Sequence, residues 1–276
     1  MAVGGADGGS GRHRRRRRLL AWIAGGLLIW AAAAYILLPI AWTHHERQPG
    51  LADKPMVTRT KQGIPGDAIN VGLVGSKEDI IRAMAAAGWR PADPVTLRSS
   101  IDIIGSVVLD RPDPQAPVSP LYYDGRVEDL AFEKELGRSA DRRDHVRFWK
   151  VLNDGIEGRP VWLGAATFDR GVGLSHYTGQ VTHHIGPDID AVRDLLVGDL
   201  EKAAMVTAVY QVTGVGPTVD GRNGGGDRYY TDGEVWIARL TVDGARDPNP
   251  PERIPAPPLV AAKDAVWRGV ADLVAP

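Results

Sequence analysis

The run "LLAWIAGGLLIWAAAAYILLPIAW", from Leu19 to Trp42, contains no charged residue and constrains the chain more than any other feature. At about 1.5 Å per residue a helix of this length reaches roughly 36 Å, enough to cross a hydrocarbon core of about 30 Å. Trp22 and Trp42 stand near its ends, where amphipathic rings prefer the membrane interface. Pro39 falls in the last turns, where a kink disturbs the helix least. The apolar stretch is too long for the core of a cleaved leader, and no clear small-x-small site follows it. The sequence therefore predicts a retained anchor over residues 19–42.

Charge then sets orientation. The net charge of −1 conceals an asymmetry, because Arg12 and Arg14 to Arg18 all precede the span while Asp7 is the sole acid there. Clustered bases stay on the cytoplasmic side, so the tail 1–18 is expected inside and the rest outside, as a single-pass protein of the cell membrane. The outer part is acidic overall and lacks the basic footprint that nucleic acid requires. Zero cysteines exclude disulfides, thiolate nucleophiles and cysteine-held zinc. With 43% hydrophobic and 24% charged residues, the chain can bury an ordinary globular core.

Residues 43–68, rich in proline and glycine, read as a linker. A continuous domain follows over 69–242, beginning with "INVGLVGS" as a buried strand and "KEDIIRAMAAAGW" as a helix. Ser76 and Asp79 make a capping pair for that helix, and Gly88 supplies its left-handed stop. Leu97, Ile101, Ile104 and Val108 have helical spacing, ended by Pro112, Pro114 and Pro117. Strand-like runs come next: "SPLYY", "EDLAFEK", "DHVRFWKV" and "RPVWLGAATF", most economically joined as hairpins. Ile189, Val192, Leu196 and Leu200 line a further helix, followed by the strands "MVTAVYQVTGV" and "EVWIARLTV". The mixture lacks a strict βαβ rhythm and predicts an α+β fold, a two-layer domain with a mainly antiparallel sheet. Residues 243–276 hold a proline-rich segment and a short final helix.

The ordered blocks "INVGLVGS", "GWRPADPVTLRSS", "APVSPLYYDGRVEDLAFEK", "RRDHVRFW", "GRPVWLGAATFDRGVG", "VTHHIGPDIDAVRDLL" and "GRNGGGDRYYTDGEVW" together resemble the LssY C-terminal domain family. The resemblance covers roughly residues 69–240. It implies a bacterial domain of unassigned activity, some of whose members look fused to membrane portions similar to DedA-type or PAP2-type phosphatase proteins. An envelope lipid or a membrane protein is the partner this context implies. The present chain departs from those fusions by carrying a single anchor helix, and the resemblance transfers no catalytic residue.

Two stretches carry candidate chemistry. In "THHIGPDIDAVRD", His184 and Asp188 offer a metal-binding or acid/base pair. His183 and His184 are neighbours on an extended strand and point to opposite faces, so they should not share an ion. The alternative is helix capping by Asp188, with Asp190 in the first turn. In "RRDHVRFW", His145 and Arg147 share a face with Trp149 and could hold an anionic oxygen, or they could form a solvent-facing stripe. Convergence of His145, His184 and Asp188, with Arg147 clamping a phosphate, would make a hydrolase. Separate placement would leave a binding module for an anion such as a lipid phosphate, or a scaffold. No cofactor is demanded, and a divalent metal stays open. "GRNGGGDRYY" lacks the GK[ST] ending of a phosphate loop and reads as a mobile turn, while "DRGVGLSH" gives neither a dinucleotide motif nor a nucleophile elbow. A phosphatase reporter that works only outside the cytoplasm, fused after Pro276, is expected to be active; activity restricted to a cytoplasmic reporter would reverse the orientation.

Overall fold

A computed structural model describes residues 9–41, 46–104, 120–135 and 142–274. The chain divides into two units, Met1–Thr43 and His44–Pro276. In the first, α1 (Gly9–Ala32) runs into a π-helical turn at Ala33–Leu37 and ends in α2 (Leu38–Ala41). Pro39 accounts for the turn, because its ring lacks an N–H and crowds the preceding carbonyls, so the ladder widens. The Leu38 N–H accordingly reaches back to the Ala33 carbonyl. His13–Leu37 is long and apolar enough to cross a membrane. Its Leu19, Trp22, Leu28 and Ile29 side chains are exposed, as lipid-facing side chains are. Trp42 lies outside the described residues, as do Val108, Pro112, Pro114 and Pro117.

The second unit opens with β1 (Val57–Arg59), β2 (Pro65–Ala68), β3 (Val71–Val74), α3 (Lys77–Ala86), β4 (Arg90–Pro91) and α4 (Pro94–Ile104). Short β5 (Tyr122–Tyr123) and β6 (Arg126–Val127) precede β7 (Leu130–Glu135), β8 (Arg143–Leu152), β9 (Val161–Leu174) and β10 (Val181–Ile185). After α5 (Asp190–Lys202) come β11 (Val206–Thr213), β12 (Thr218–Arg222), β13 (Arg228–Thr231), β14 (Glu234–Leu240), β15 (Glu252–Arg253) and α6 (Pro258–Val274). The central sheet has the order β15-β11-β14-β3-β9-β8-β7-β4, with β10 added to β9. The β7–β8–β9–β10 run is antiparallel throughout, and the β14–β3 pair is parallel. This is an α+β domain with a mainly antiparallel sheet.

Local rules explain the helix ends. Ser76 Oγ accepts from Asp79 N and the Asp79 carboxylate accepts from Ser76 N, closing the expected capping box on α3. Gly88 follows at φ +81°, a conformation that costs a glycine nothing. Ile80, Ile81 and Met84 of α3 and Val192, Leu196 and Leu200 of α5 bury against Leu73, Val146, Phe148 and Ala166 of the sheet. The side chain of Asn70 fixes α5 onto β9, donating to the carbonyls of Ala166 (3.0 Å) and Ile189 (2.9 Å) and accepting from Ala166 N (2.9 Å).

The other sheet face is covered as well. There β1, β2, β5 and β6 form a small sheet in the order β2-β1-β5-β6. Tyr123 packs on Trp149 with ring centroids 5.6 Å apart, joined by Leu51, Leu121, Leu163 and Ile237. The expectation of a linker over 43–68 is corrected from Glu46 onward. Leu51 is fully buried, Gln48 donates to Tyr210 Oη and to Glu157 Oε2, and β1 pairs with β2. Its glycines make turns, Gly50 at φ +95° and Gly63 at φ +80°, rather than a solvated tether. At the far end α6 docks through Lys263, which pairs with buried Glu234, and through Gln211 Nε2 donating to Asp264 Oδ2 at 2.6 Å.

Leu196→Ala is expected to cost about 3 kcal/mol by removing a fully buried side chain, whereas Leu259→Ala on the exposed face of α6 stays near zero. Urea unfolding of both variants beside the parent protein checks the contrast.

Candidate functional site

The register of β8 on β9 places Arg143 opposite Asp169, His145 opposite Thr167 and Arg147 opposite Ala165. Because side chains alternate, Val146 and Phe148 join the core under the helices while His145, Arg147 and Trp149 turn to the other face. That face is no solvent-facing stripe, since all three are buried. At its polar end lies a cavity of about 370 Å³, lined by Asp67, Arg147, Thr167, Asp169, His183 and Asn223. Lys61 also lines it, from an exposed position at the rim.

Charges here are organised in pairs. Arg147 Nη1 lies 3.6 Å from Asp67 Oδ2 and its Nε 3.5 Å from Glu128 Oε1. Arg143 joins Glu133 at 2.9 Å to Asp169 at 3.5 Å, and His183 Nδ1 stands 3.7 Å from the same Asp169 Oδ2. Burial pushes the Asp67 carboxyl up to about 6; Arg147 and an Asn223 hydrogen bond oppose this, and the Asp169 and Asp227 charges add to it. Asp169 is raised too, mainly by burial, against the pull of Arg147 and Arg143. His145 is held well below its ordinary value by burial and by the neighbouring Arg147 and Arg143, so it stays neutral in the sheet. The site thus offers a guanidinium, an imidazole and two carboxyl groups to one small volume.

His184 turns to the opposite side of β10, as the strand alternation requires. Its Nδ1 lies 2.8 Å from Asp227 Oδ1, and Asp227 Oδ2 accepts from Ile185 N at 3.1 Å. Asp188 faces elsewhere. Its Oδ1 accepts from Ala191 N at 3.0 Å at the start of α5. Asp190 accepts from Thr231 Oγ1 and from Asp232 N, and buried Arg193 grips Asp232 through both terminal nitrogens at 2.8 and 3.0 Å. Most of "PDIDAVRD" therefore knits α5 to the β13–β14 turn. Of the four residues singled out from sequence, Arg147 lines the cavity, His145 lies behind it, His184 faces Asp227 and Asp188 caps a helix.

The residues missed from sequence are Asp67, Asp169, Asn223 and Asp227. Asp67 sits in a stretch whose composition resembles a linker. Asp169 was findable, since an acid ending the hydrophobic run "VWLGAATF" on the face of Thr167 needs a partner. Asn223 and Asp227 belong to the loop read as a mobile turn, which is instead tied by its own bonds: Asn223 Oδ1 accepts from Gly225 N at 3.0 Å and Asp227 N at 2.8 Å.

A family model described as LssY C-terminus matches residues 51–235. The chain belongs to that family. The match begins at Leu51, the residue at which the buried core of the LssY C-terminus domain also begins in the chain. No curated protein and no solved structure matches.

Asp67 and Asp144, both raised to about 6 chiefly by burial, set a pH dependence for this LssY C-terminus domain. Between about pH 4 and 6 the folded state keeps protons that the unfolded chain has released, so stability falls as pH rises through that window. Asp67→Asn is expected to add about 2 kcal/mol near pH 7 and little near pH 4. Urea midpoints at both pH values check it, and an equal shift at both would show that the carboxyl does not carry the effect.

Proposed function

We propose that the protein is a membrane-tethered binding domain, held outside the cytoplasm by its N-terminal helix, whose cavity takes the headgroup of an anionic polyol lipid of the glycerophosphate kind. The observation that carries this reading is the cavity itself: Lys61 and Arg147 line the same volume as Asp67 and Asp169. Cationic donors suit phosphate oxygens, and carboxyl groups suit neighbouring hydroxyls. A volume of about 370 Å³ is of the size of a small headgroup, and the charged lining suits a polar one. The Arg-rich tail before an uncharged span supports the orientation. It also supports an envelope lipid as the partner, because a tether keeps the domain where lipids are.

Arg147 enters this binding already paired with Asp67 and Glu128, so the ligand phosphate competes with carboxylates for it. The hydroxyl-bearing part of the ligand compensates by donating to Asp67 and Asp169. A bare phosphate lacks that compensation and binds more weakly than glycerol phosphate. Phosphoester hydrolysis is the second reading. It is favoured by His183 in the cavity with its Nδ1 3.7 Å from Asp169 Oδ2, from which a small shift would make the carboxylate-oriented imidazole of a general base.

Calorimetric titration of the full-length protein in detergent with glycerol phosphate, glycerol and inorganic phosphate tests both readings. Saturable binding of glycerol phosphate is expected, tighter than phosphate alone and weakened about tenfold in Asp169→Asn. Flat heats with all three compounds would sink the binding reading. Release of inorganic phosphate during the titration, lost in His183→Gln, would establish the hydrolase.

A further inference from the structure

We propose that His176, His184 and Asp227 form a binding site for a divalent transition metal of the zinc type, with two imidazole nitrogens and one carboxylate oxygen as protein ligands and water completing the shell. The three ligand atoms lie within 4.8 Å of one another. His184 Nδ1 stands 2.8 Å and His176 Nε2 3.8 Å from the same Asp227 Oδ1. A tetrahedral ion with bonds of about 2.0–2.1 Å separates its ligands by roughly 3.3 Å, between the two observed spacings. Shifts of about half an ångström at Asp227, with the two imidazole nitrogens, which lie within 4.8 Å of each other, closing toward the same point, seat the ion. A hydrogen-bonded His–Asp pair needs one histidine; the second ring, with its centroid 5.3 Å from the first, is what turns the pair into a ligand set.

The backbone holds this arrangement before any ion arrives. Asp227 is fixed through Oδ2 by Ile185 N and through its own N–H by Asn223. His176 N donates to Gly225 O at 2.8 Å, which locks the β9–β10 hairpin onto the same loop. Both rings rest on glycines. A Cβ on Gly173 would strike the His184 ring, and one on Gly226, at φ +91°, would come within 2.7 Å of His176 Cβ. Side-chain exposure grades outward from 1% at Asp227 through 19% at His184 to 60% at His176, so the site opens to solvent on the His176 side. That opening supplies both an entry path and a position for water.

The donor set selects the ion. Two imidazoles with one carboxylate suit zinc, copper, nickel or iron, whereas magnesium and calcium prefer oxygen ligands throughout. Arg170 Nη2 lies 3.3 Å from Asp227 Oδ1 and competes for that oxygen, but its side chain is half exposed and can swing into water. The arginine sets the affinity and leaves the ligands in place.

The test uses the full-length protein in detergent, stripped of metal and titrated with cobalt(II) and then zinc. One equivalent per chain is expected, with the visible absorption of low-coordinate cobalt bleached by zinc. His176→Ala, at a largely exposed position that the fold does not need, should weaken binding about tenfold or more. Arg170→Met should tighten binding, and His183→Gln, on the other side of β10, should leave it unchanged. Absence of saturable cobalt binding overturns the proposal. So does binding that survives both His176→Ala and His184→Gln.

Discussion

Two guanidinium groups on β8 are taken out of water, and much of the domain is arranged around keeping them paired. Desolvating an unpaired charge costs several kcal/mol even after relaxation. Arg143 and Arg147 are each only about 5% exposed, and each has two carboxylates within reach, so that losing one, as in Asp67→Asn, still leaves Arg147 paired with Glu128. Their carboxylates come from β7, β9, β2 and the turn before β7. Satisfying these two residues therefore docks the small sheet on the large one and fixes where β2 must lie. The cavity is what remains at the polar end of that arrangement, where Asp67 and Asp169 face one another's charge across Arg147.

How much of this was legible in the sequence depends on the range of each interaction. Contacts within a few residues were readable: the Ser76–Asp79 box, the Gly88 stop, the apolar stripe of α5 and the alternation along β8. The same alternation correctly separated His183 from His184. Pairings across the chain were not readable. Asp227 lies 43 residues beyond His184, and Arg147 finds its partner in a segment whose proline and glycine content imitates a tether. Composition describes the freedom of an isolated segment; it is blind to a hydrophobic face waiting elsewhere to receive Leu51 and Tyr123.

Asp188 illustrates the opposite error. Paired with His184 in a short polar stretch, it looked like half of a site, yet four positions of separation span the turn from β10 into the first turn of a helix with unmet N–H groups to satisfy. The acids after Pro187 went to the helix start and to Arg193. The neighbour that His184 actually found came from a loop with three consecutive glycines, where the absence of side chains lets the chain close tightly enough to aim one carboxylate inward.

Asn223 stands between the cavity and the histidine cluster. Its carbonyl oxygen organises the loop that fixes Asp227, and the same side chain hydrogen-bonds Asp67. A group that leans on Asp67 from the cavity pulls on this amide, and a group that moves Asp227 pulls on it from the other side. With both proposed sites filled, occupancy on the two sides would be linked, and linkage is reciprocal: whatever factor one ligand adds to the affinity of the other, it receives back. A single amide would then make each occupant's affinity depend on whether the other is present.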